Sequence, residues 1–436
     1  MNDSLVVLLN DTIAGVVTRL RAGRLRFDYD EAYRKLSDVT PLSVSMPIQV
    51  RSHTDNVITP WLWNLLPDND AVLARWAGQF QVSASSPFSL LSTPIGLDCA
   101  GAVRFVSPEK IDEATNRPGS ITWLTEDDVA ERLRELKKDS TAWLGKSFTG
   151  QFSLAGAQAK TALLYRDGRW GVPHGSAATT HILKPAVAGF DDHDLNEHLC
   201  LDAARRAGLI AARTRVARFS DETAIVVERY DRREVGERLI RVHQEDLCQA
   251  LGLPPSKKYQ NEGGPGAAQI VSLLRRVMSP QHADVAVSRF FDALVWNWLI
   301  GGTDAHAKNY SLLLAGGQVR LAPLYDIASA LPYGMDEHKL RLAMKIGGRY
   351  DVYPYYHNWD RAADEMDIDR EFALSRVREL TDRVAQSFAE AAAEPDVVAL
   401  GRELPSRLAN IIAQRAARCA QLIALDRGSH VPGTSA

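Results

Sequence analysis

Apolar and polar positions organise the chain before any single residue draws notice. Leu5–Leu9, Ile13–Leu20 and Arg24–Tyr29 are β-rich runs separated by the turn pairs Asn10-Asp11 and Ala22-Gly23, which predicts an antiparallel meander. A Pro- and Ser-rich region follows, with Pro41, Pro47, Pro60, Pro67 and Pro87 interrupting any long element. Within it Trp61-Leu62-Trp63-Asn64-Leu65-Leu66-Pro67 is a dense apolar patch expected in a core or a domain-packing surface. Residues 125–138 predict a charged helix. From Phe152 the pattern changes: Thr161–Tyr165, the turn Arg166-Asp167-Gly168 and Arg169–Val172 predict a hairpin, and Thr180–Lys184 another strand. Leu195–Ala207 predicts a helix stopped by Gly208, and Thr214–Phe219 and Ala224–Tyr230 two further strands.

After Asp231 the pattern turns mostly helical. Gln244–Leu251, Ala267–Val277 and residues 283–299 predict helices, the last with Val287, Phe290, Phe291, Leu294 and Trp298 at helical spacing. A hairpin is expected over Tyr310–Leu314 and Val319–Pro323, then helices over Arg370–Ala393 and Ser406–Leu425. The expected divisions are a β-rich part over 1–145, a β/α region over 146–231, a helical lobe over 232–426 and a flexible tail over 427–436. The expected fold class is α+β: a two-lobed, protein-kinase-like fold with a β-rich N-terminal part and a mostly helical C-terminal lobe.

Composition adds mainly exclusions. The 436 residues carry 51 basic and 54 acidic side chains, a formal charge of −3, which argues against broad attraction to nucleic acid. With 45% hydrophobic and 24% charged residues the chain reads as ordinary and globular. Cys99, Cys200, Cys248 and Cys419 form no C-x-x-C pair, so reduced thiols in a cytoplasm are expected instead of a zinc ribbon or a disulfide framework. No basic leader precedes the N-terminal strand, and the longest apolar run, around Ala293–Ile300, is too short to span a bilayer.

The densest chemistry is Thr303-Asp304-Ala305-His306-Ala307-Lys308-Asn309, directly after the apolar helix and Gly301-Gly302. Phosphoryl transfer needs an aspartate to orient and deprotonate the acceptor hydroxyl, an asparagine five residues on to bind metal, and a further aspartate beyond a short hairpin. Asp304, Asn309 and Asp326 have that order and gap, and their oxygens suit Mg²⁺. Two other readings are a capped turn with His306 packed beneath it, and zinc ligation by Asp304 and His306; the chain carries no convincing further set of His ligands. Ser153-Leu154-Ala155-Gly156-Ala157-Gln158-Ala159-Lys160 is a small-residue loop able to cradle phosphates through backbone N–H groups, or simply a tight turn into a strand. Lys184 could reach phosphates from its strand, with Glu197 on the next helix as partner, or be an exposed edge-strand lysine. Glu228 and Tyr230 stand where backbone groups would meet an adenine edge, with the Tyr230 ring against its face.

Taken in order, these segments strongly resemble the HipA family of bacterial serine/threonine kinase toxins. The resemblance runs through Asn64–Pro67, Gly96-Leu97-Asp98-Cys99-Ala100-Gly101-Ala102, Ser153–Lys160, His181–Lys184 and Val227-Glu228-Arg229-Tyr230-Asp231-Arg232-Arg233. It continues through Gln244–Gln249, Lys258-Tyr259, Gly263-Gly264-Pro265-Gly266, Thr303–Asn309 and Tyr325-Asp326. It implies ATP and Mg²⁺ as cofactors, Asp304 as general base, Asn309 and Asp326 as metal ligands, and Lys184 as a phosphate contact. Ala155, Gly156, Ala157, Gln158, Ala159, Lys160, Glu228, Arg229, Tyr230, His306, Ala307, Lys308 and Tyr325 complete the implied nucleotide site. One departure is Ala159, where the loop often carries Glu before the lysine. The family resemblance further implies protein substrates, an aminoacyl-tRNA synthetase among them, whose phosphorylation slows translation and growth. It also implies autophosphorylation of Ser153 as an off-switch, and a HipB-like helix-turn-helix antitoxin through which the protein reaches operator DNA. The paired arginines 205–206, 232–233 and 275–276 are expected on solvated faces. A small-molecule or lipid kinase, and a catalytically idle antitoxin-binding co-regulator, are the competing readings.

Overall fold

The opening meander forms where its alternation predicts it. In the computed structural model β1 (Ser4–Leu9), β2 (Thr12–Arg19) and β3 (Leu25–Tyr29) pair antiparallel in sequence order, with β4 (Ser52–His53) beside β3 and β5 (Val103–Val106) beside β1. The structure describes residues 3–145, 150–187, 189–236, 238–353 and 359–429, with side chains as far as 423. The Pro-rich stretch is more helical than its prolines suggested, with helices at Asp55–Trp63, Asp70–Phe80 and Pro87–Leu91. Pro87 sits in the first helical turn, where no backbone N–H is required. These helices and the turn after the first of them cover one face of the meander with Trp61, Leu62, Leu65, Leu66 and Trp76, all buried, in a core that also takes Phe152 and Leu154.

The chain forms two compact units. The first comprises Met1–Gly189, Ala217–Lys258 and Tyr310–Ala322; the second comprises Phe190–Val216, Tyr259–Asn309 and Pro323–Ala436. The expected divisions at 145/146 and 231/232 both fall inside the first unit. In class the protein is α+β, with a β-rich N-terminal part and a helical C-terminal region.

The first unit also holds β6 (Ser120–Leu124), β7 (Thr161–Arg166), β8 (Arg169–His174), β9 (His181–Lys184) and β11 (Glu222–Glu228), in the order β11-β9-β7-β8-β6. β10 (Thr214–Phe219) borders β11 and crosses the boundary between the units. Arg166 pairs with Arg169 across Asp167-Gly168, both at positive φ, the two-residue turn that matches strand twist. The helix Glu126–Lys138 starts at Thr125, whose hydroxyl accepts from the Asp128 N–H while the Asp128 carboxylate accepts from the Thr125 N–H.

Three expectations need correction here. The region after Asp231 opens with strand, not helix: β12 (Arg232–Val235) pairs with β13 (Arg238–Arg241), and β14 (His243–Asp246) pairs with β15 (Ser311–Ala315), itself hairpinned to β16 (Gln318–Leu321). The helix expected over 244–251 is therefore confined to Leu247–Ala250, capped by the Asp246 side chain. Glu245 explains why. On β14 its carboxylate accepts from Val44 N (2.8 Å) and Trp61 Nε1 (3.2 Å), and burial pushes its acid up to about 7. Second, the helix Leu404–Ser429 continues past the expected end at 425 into the expected tail, of which 430–436 lie outside the described residues. Third, Arg232 is not on a solvated face.

Arg232 belongs to a buried ionic cluster that joins two of the sequence motifs. The Asp98 carboxylate accepts from Thr179 N (2.9 Å), Thr179 Oγ1 (2.7 Å) and Arg232 Nη2 (2.8 Å). Asp231 accepts from Gly101 N (2.7 Å) and from Arg229 through Nε (3.0 Å) and Nη2 (2.8 Å). Arg229 and Arg232 also donate to the Cys99 carbonyl. Gly101 has φ +76, and a Cβ there would meet Gln244 N at 2.6 Å, so no other residue fits. Burial alone would raise both carboxyls, but the arginines outweigh it and hold Asp98 and Asp231 below the ordinary carboxylate range.

Removing Asp98 leaves buried guanidinium groups short of a counter-charge. Asp98→Asn should lower unfolding free energy by about 3–5 kcal/mol in a urea titration. Because the native carboxyl is depressed relative to its unfolded value of about 3.9, its contribution is complete above that pH and lost as pH falls below it. The variant should therefore show a shallower acid limb than the wild type, and equal slopes would contradict the assignment.

Candidate active site

The second unit is organised around the 21-residue helix Pro280–Ile300, which is buried on every side from Ala293 to its end, Trp296 and Trp298 included. Its end is unusually well satisfied. Arg415, with no exposed surface, donates to the Leu299 carbonyl (2.9 Å), the Trp298 carbonyl (2.7 Å) and the Val352 carbonyl, and pairs with Glu337. Ser329 Oγ donates to the Ile300 carbonyl (2.6 Å), and Gly301 closes the helix at φ +66. The Arg415 cation and the Ser329 hydroxyl thus meet the carbonyls of Trp298, Leu299 and Ile300 at the end of the helix.

That fixed end launches Thr303–Asn309, which is a loop, as expected, finishing in a 3₁₀ turn over Ala307–Asn309. Asp304 is exposed, whereas His306, Ala307, Lys308 and Asn309 are buried. Two hydrogen bonds join the loop to the segment carrying Asp326. Asn309 Nδ2 donates to the Asp326 carbonyl (3.1 Å), and Tyr325 Oη donates to the Lys308 carbonyl (2.6 Å). Leu324, just before, is held by the backbone of 210–212, with Leu324 N donating to Ile210 O (2.9 Å) and Ala212 N to Leu324 O (2.7 Å). Asp326 adopts φ +57, a left-handed conformation that aspartate tolerates better than most residues.

Beyond Asp326, Asn196 clamps the chain. From the helix His193–Arg206 its Oδ1 accepts from Ser329 N (2.9 Å) while its Nδ2 donates to Ser329 O (2.7 Å) and to Tyr333 Oη (3.0 Å). Neither Asn196 nor Tyr259 stood out as chemistry in the sequence. Tyr259 Oη donates to Asp304 Oδ1 at 2.5 Å, and its ring meets His306 edge-on at 4.8 Å. Sequence reasoning had a signal for Tyr259, the Lys258-Tyr259 motif, but no spacing rule linking it to position 304.

The remaining expected residues belong to the first unit. Ser153 is fully buried; its hydroxyl donates to the Leu65 carbonyl (2.8 Å) and its N–H to the Asp98 carbonyl (3.0 Å). Within the loop, Gly156 has φ +99 and its carbonyl accepts from Asp68 N (3.1 Å). Ala155 and Ala159 are half-buried and Ala157 is exposed, while Gln158 carries a buried Nε2 without a hydrogen-bond partner. The Lys160 ammonium donates to the Ala155 carbonyl (2.7 Å) and lies 5.0 Å from the Trp143 ring centroid. Lys184 is on no edge: β9 runs between β11 and β7, and the residue is buried. Glu197 is buried in the second unit. Of the expected hinge, Glu228 is exposed, the Arg229 side chain is committed to Asp231, and Tyr230 Oη contacts Gln244 Oε1 (2.5 Å).

Among the described residues no group of three or more His, Cys, Asp or Glu side chains is placed to hold a metal ion. The remaining set still suits Mg²⁺. That ion takes one or two protein oxygens and completes its shell with water and phosphate. The Asn309 amide donates one N–H to the Asp326 carbonyl, which orients the group, and its Oδ1 can only accept. No helix among the described residues is long and apolar enough to cross a membrane.

Comparison with known proteins shows the family. Residues 152–390 match the HipA-like C-terminal domain family and residues 5–106 the HipA N-terminal domain family. The chain is 34% identical over 380 residues to the Sinorhizobium fredii protein Y4mE, covering 86% of this chain and 89% of that one. It is 31% identical over 364 residues to the serine/threonine-protein kinase toxin HipA of Shewanella oneidensis, covering 80% of each. A solved structure of HipA with HipB and its operator DNA from Shewanella oneidensis superposes with a TM-score of 0.81 at 26% identity, covering 98% of this chain and 100% of that one.

The helix end is the feature most open to direct test. Arg415→Met removes the charge and strands three carbonyls and Glu337, and should cost about 3 kcal/mol or more in a denaturant titration. Arg415→Lys should recover only part of that loss, because one ammonium cannot reproduce the planar fork. Full recovery by lysine would show that charge alone, not the carbonyl contacts, is what matters.

Proposed function

The chain belongs to the HipA family, as a HipA-like serine/threonine protein kinase, and from that premise we propose that it is the toxin of a toxin–antitoxin pair, transferring the γ-phosphoryl group of ATP to a protein hydroxyl. The observation that carries this reading is the pair of hydrogen bonds joining Lys308-Asn309 to Tyr325-Asp326. They tie the segment that carries Asn309 to the segment that carries Asp326, and the two residues follow Asp304 in the order that phosphoryl transfer requires, which supports the reading.

In this reading the exposed Asp304 accepts the proton of the acceptor hydroxyl as that oxygen attacks phosphorus. Asn309 and Asp326 would hold Mg²⁺ through Oδ1 and a carboxylate oxygen, and the ion would offset charge on the phosphates. Lys184 and the backbone of 155–160 would contact those phosphates, and residues 228–230 the base. The committed Arg229 and Tyr230 side chains leave main-chain groups as the means of doing so. The expected division into 1–145, 146–231 and 232–426 is retained as a functional partition, not a packing one.

Ser153 is the proposed self-inactivation site. Its hydroxyl is packed against Leu65 O, so modification requires the segment to leave that seat, and a phosphate of about two negative charges could not re-enter it. The physiological acceptor is proposed to be a translation protein of the aminoacyl-tRNA synthetase kind. Operator DNA would be reached through a small helix-turn-helix antitoxin, which suits a formal charge of −3.

Two outcomes test the proposal. With γ-labelled ATP and bacterial lysate, Asp304→Asn should lose about 100-fold or more of the label transferred to protein while still binding nucleotide. Undiminished transfer would remove Asp304 from the chemistry, and binding without transfer in the wild type would favour an idle co-regulator. Ser153→Ala should transfer phosphate at the wild-type rate yet show no time-dependent self-inactivation, and intact-mass spectra should lose the self-added phosphate. Retention of that phosphate would move the site elsewhere.

A further inference from the structure

The segment Lys258-Tyr259 with Gly263-Gly264-Pro265-Gly266 was singled out by the sequence, yet nothing in the proposed chemistry uses it. Its structure supplies a use. The Tyr259 carbonyl accepts from Glu262 N (3.1 Å) and Gly264 N (2.8 Å), so Tyr259 opens a closed turn that Gly263 completes at φ +88. Gln260, next in the chain, is tied at its Oε1 to Lys345 N (2.7 Å) in β17 (Arg341–Ile346). Its amide lies where a Cβ on Gly266 would come within 2.4 Å, so any larger residue there would displace the Gln260 side chain. Gly266 in turn leads into the helix Ala267–Val277, whose first turn is capped by Gln269 Oε1 accepting from Gly266 N (2.9 Å). The turn is therefore fastened to a strand on one side and a helix on the other.

From this pedestal the Tyr259 side chain reaches the catalytic loop at two points. Its hydroxyl donates to Asp304 Oδ1 at 2.5 Å, and its ring packs edge-on to His306 at 4.8 Å and 81°. Asp304 is exposed, and the backbone around it offers one local restraint, His306 N donating to Asp304 O (2.8 Å). An exposed aspartate with χ1 and χ2 free samples several rotamers, and only a fraction of them present an oxygen to an incoming hydroxyl. A phenolic donor on one carboxylate oxygen selects a rotamer and leaves the second oxygen as the acceptor.

We propose that Tyr259 is a positioning residue for the phosphoryl-transfer reaction: it acts through Asp304, holding that carboxylate in the one orientation that can take the acceptor's proton. The proposal rests on the reading of Asp304 as general base. Tyr259 touches neither nucleotide nor acceptor in this role, and the glycine-rich turn serves to aim it.

The test is steady-state kinetics of the full-length Tyr259→Phe and Tyr259→Leu proteins, with ATP affinity and thermal midpoints measured alongside. Tyr259→Phe keeps the His306 ring contact and loses only the hydroxyl. It should lower kcat about tenfold, the value of one oriented charge-assisted hydrogen bond, with KM for ATP within about twofold of wild type. Tyr259→Leu, which loses the ring as well, should fall further in kcat. Unchanged or raised kcat in Tyr259→Phe overturns the proposal, the latter because it would make the tyrosine a competitor for the base. An equal change in kcat and KM, or a lowered thermal midpoint in Tyr259→Phe, also overturns it, since that marks general loss of structure. Asp304→Asn run in parallel keeps the two ideas apart. Full activity there defeats the base assignment itself, whereas an inactive Asp304→Asn beside an unaffected Tyr259→Phe defeats only the role of Tyr259.

Discussion

The second unit depends on how one helix ends. Pro280–Ile300 is buried at every residue from Ala293 to its end, so its terminal carbonyls cannot turn to water, and each unpaired one would cost about 1–3 kcal/mol. The chain solves this with a single residue from a distant helix. Arg415 spreads its guanidinium across the carbonyls of Trp298, Leu299 and Val352 while Glu337 takes the remaining side of its charge. Burial lowers the Arg415 acid to about 10, still far above neutrality, so the cation persists where the helix dipole favours one. Ser329 completes the cap at Ile300, and the same serine is held through its backbone by Asn196. Helix end, post-Asp326 segment and the helix His193–Arg206 are thereby one hydrogen-bonded assembly, and the backbone of the 303–309 loop and of Asp326 starts from it.

In the first unit the corresponding element is charge. Asp98 and Asp231 face Arg229, Arg232 and Arg241, all nearly without exposed surface. Such clusters are weak sources of net stability but severe penalties for misplacement, because any partner left out is a buried charge. The cluster therefore specifies where residues 98–101 lie against 229–241 more than it stabilises them. It also explains why an Asp-Arg-Arg run that looks basic on paper contributes little to the surface: Arg233 alone of that pair is exposed.

Local chemistry was legible and non-local pairing was not. The hairpin over 161–174, the helix ending near Gly208 and the loop 303–309 all rest on signals within a few residues: a turn pair, a C-terminal glycine, polar density after an apolar helix. The strand His243–Asp246 failed as a helix prediction because its decisive partners, Leu312, Val44 and Trp61, come from about seventy residues downstream and two hundred upstream. Its helix signature was real but belonged to four residues only, Leu247–Ala250. Lys184 shows the opposite limit. Sequence could propose its strand but not whether that strand was central or at an edge, which here separates a buried ammonium from a solvated one. Tyr259 and Asp304, forty-five positions apart, share no periodicity, and their contact is visible only in space.

The burial profile along Thr303–Asn309 gives these pieces a common logic. It falls from an exposed Asp304 to a buried Asn309 in five residues. A proposed base must meet a hydroxyl arriving on another protein, so it has to stand in solvent, where its own rotamers are free and water competes for its oxygens. A proposed metal ligand profits from the reverse, since charge interactions strengthen as water is excluded. Placing both on one short loop forces a steep gradient, and the exposed end then lacks the packing that orients the buried end. The buried end is orientated by neighbours in the loop and in 325–326; the exposed end needs a brace from outside. A tyrosine suits that task because its ring can pack on the loop at His306 while its hydroxyl still reaches a wet carboxylate.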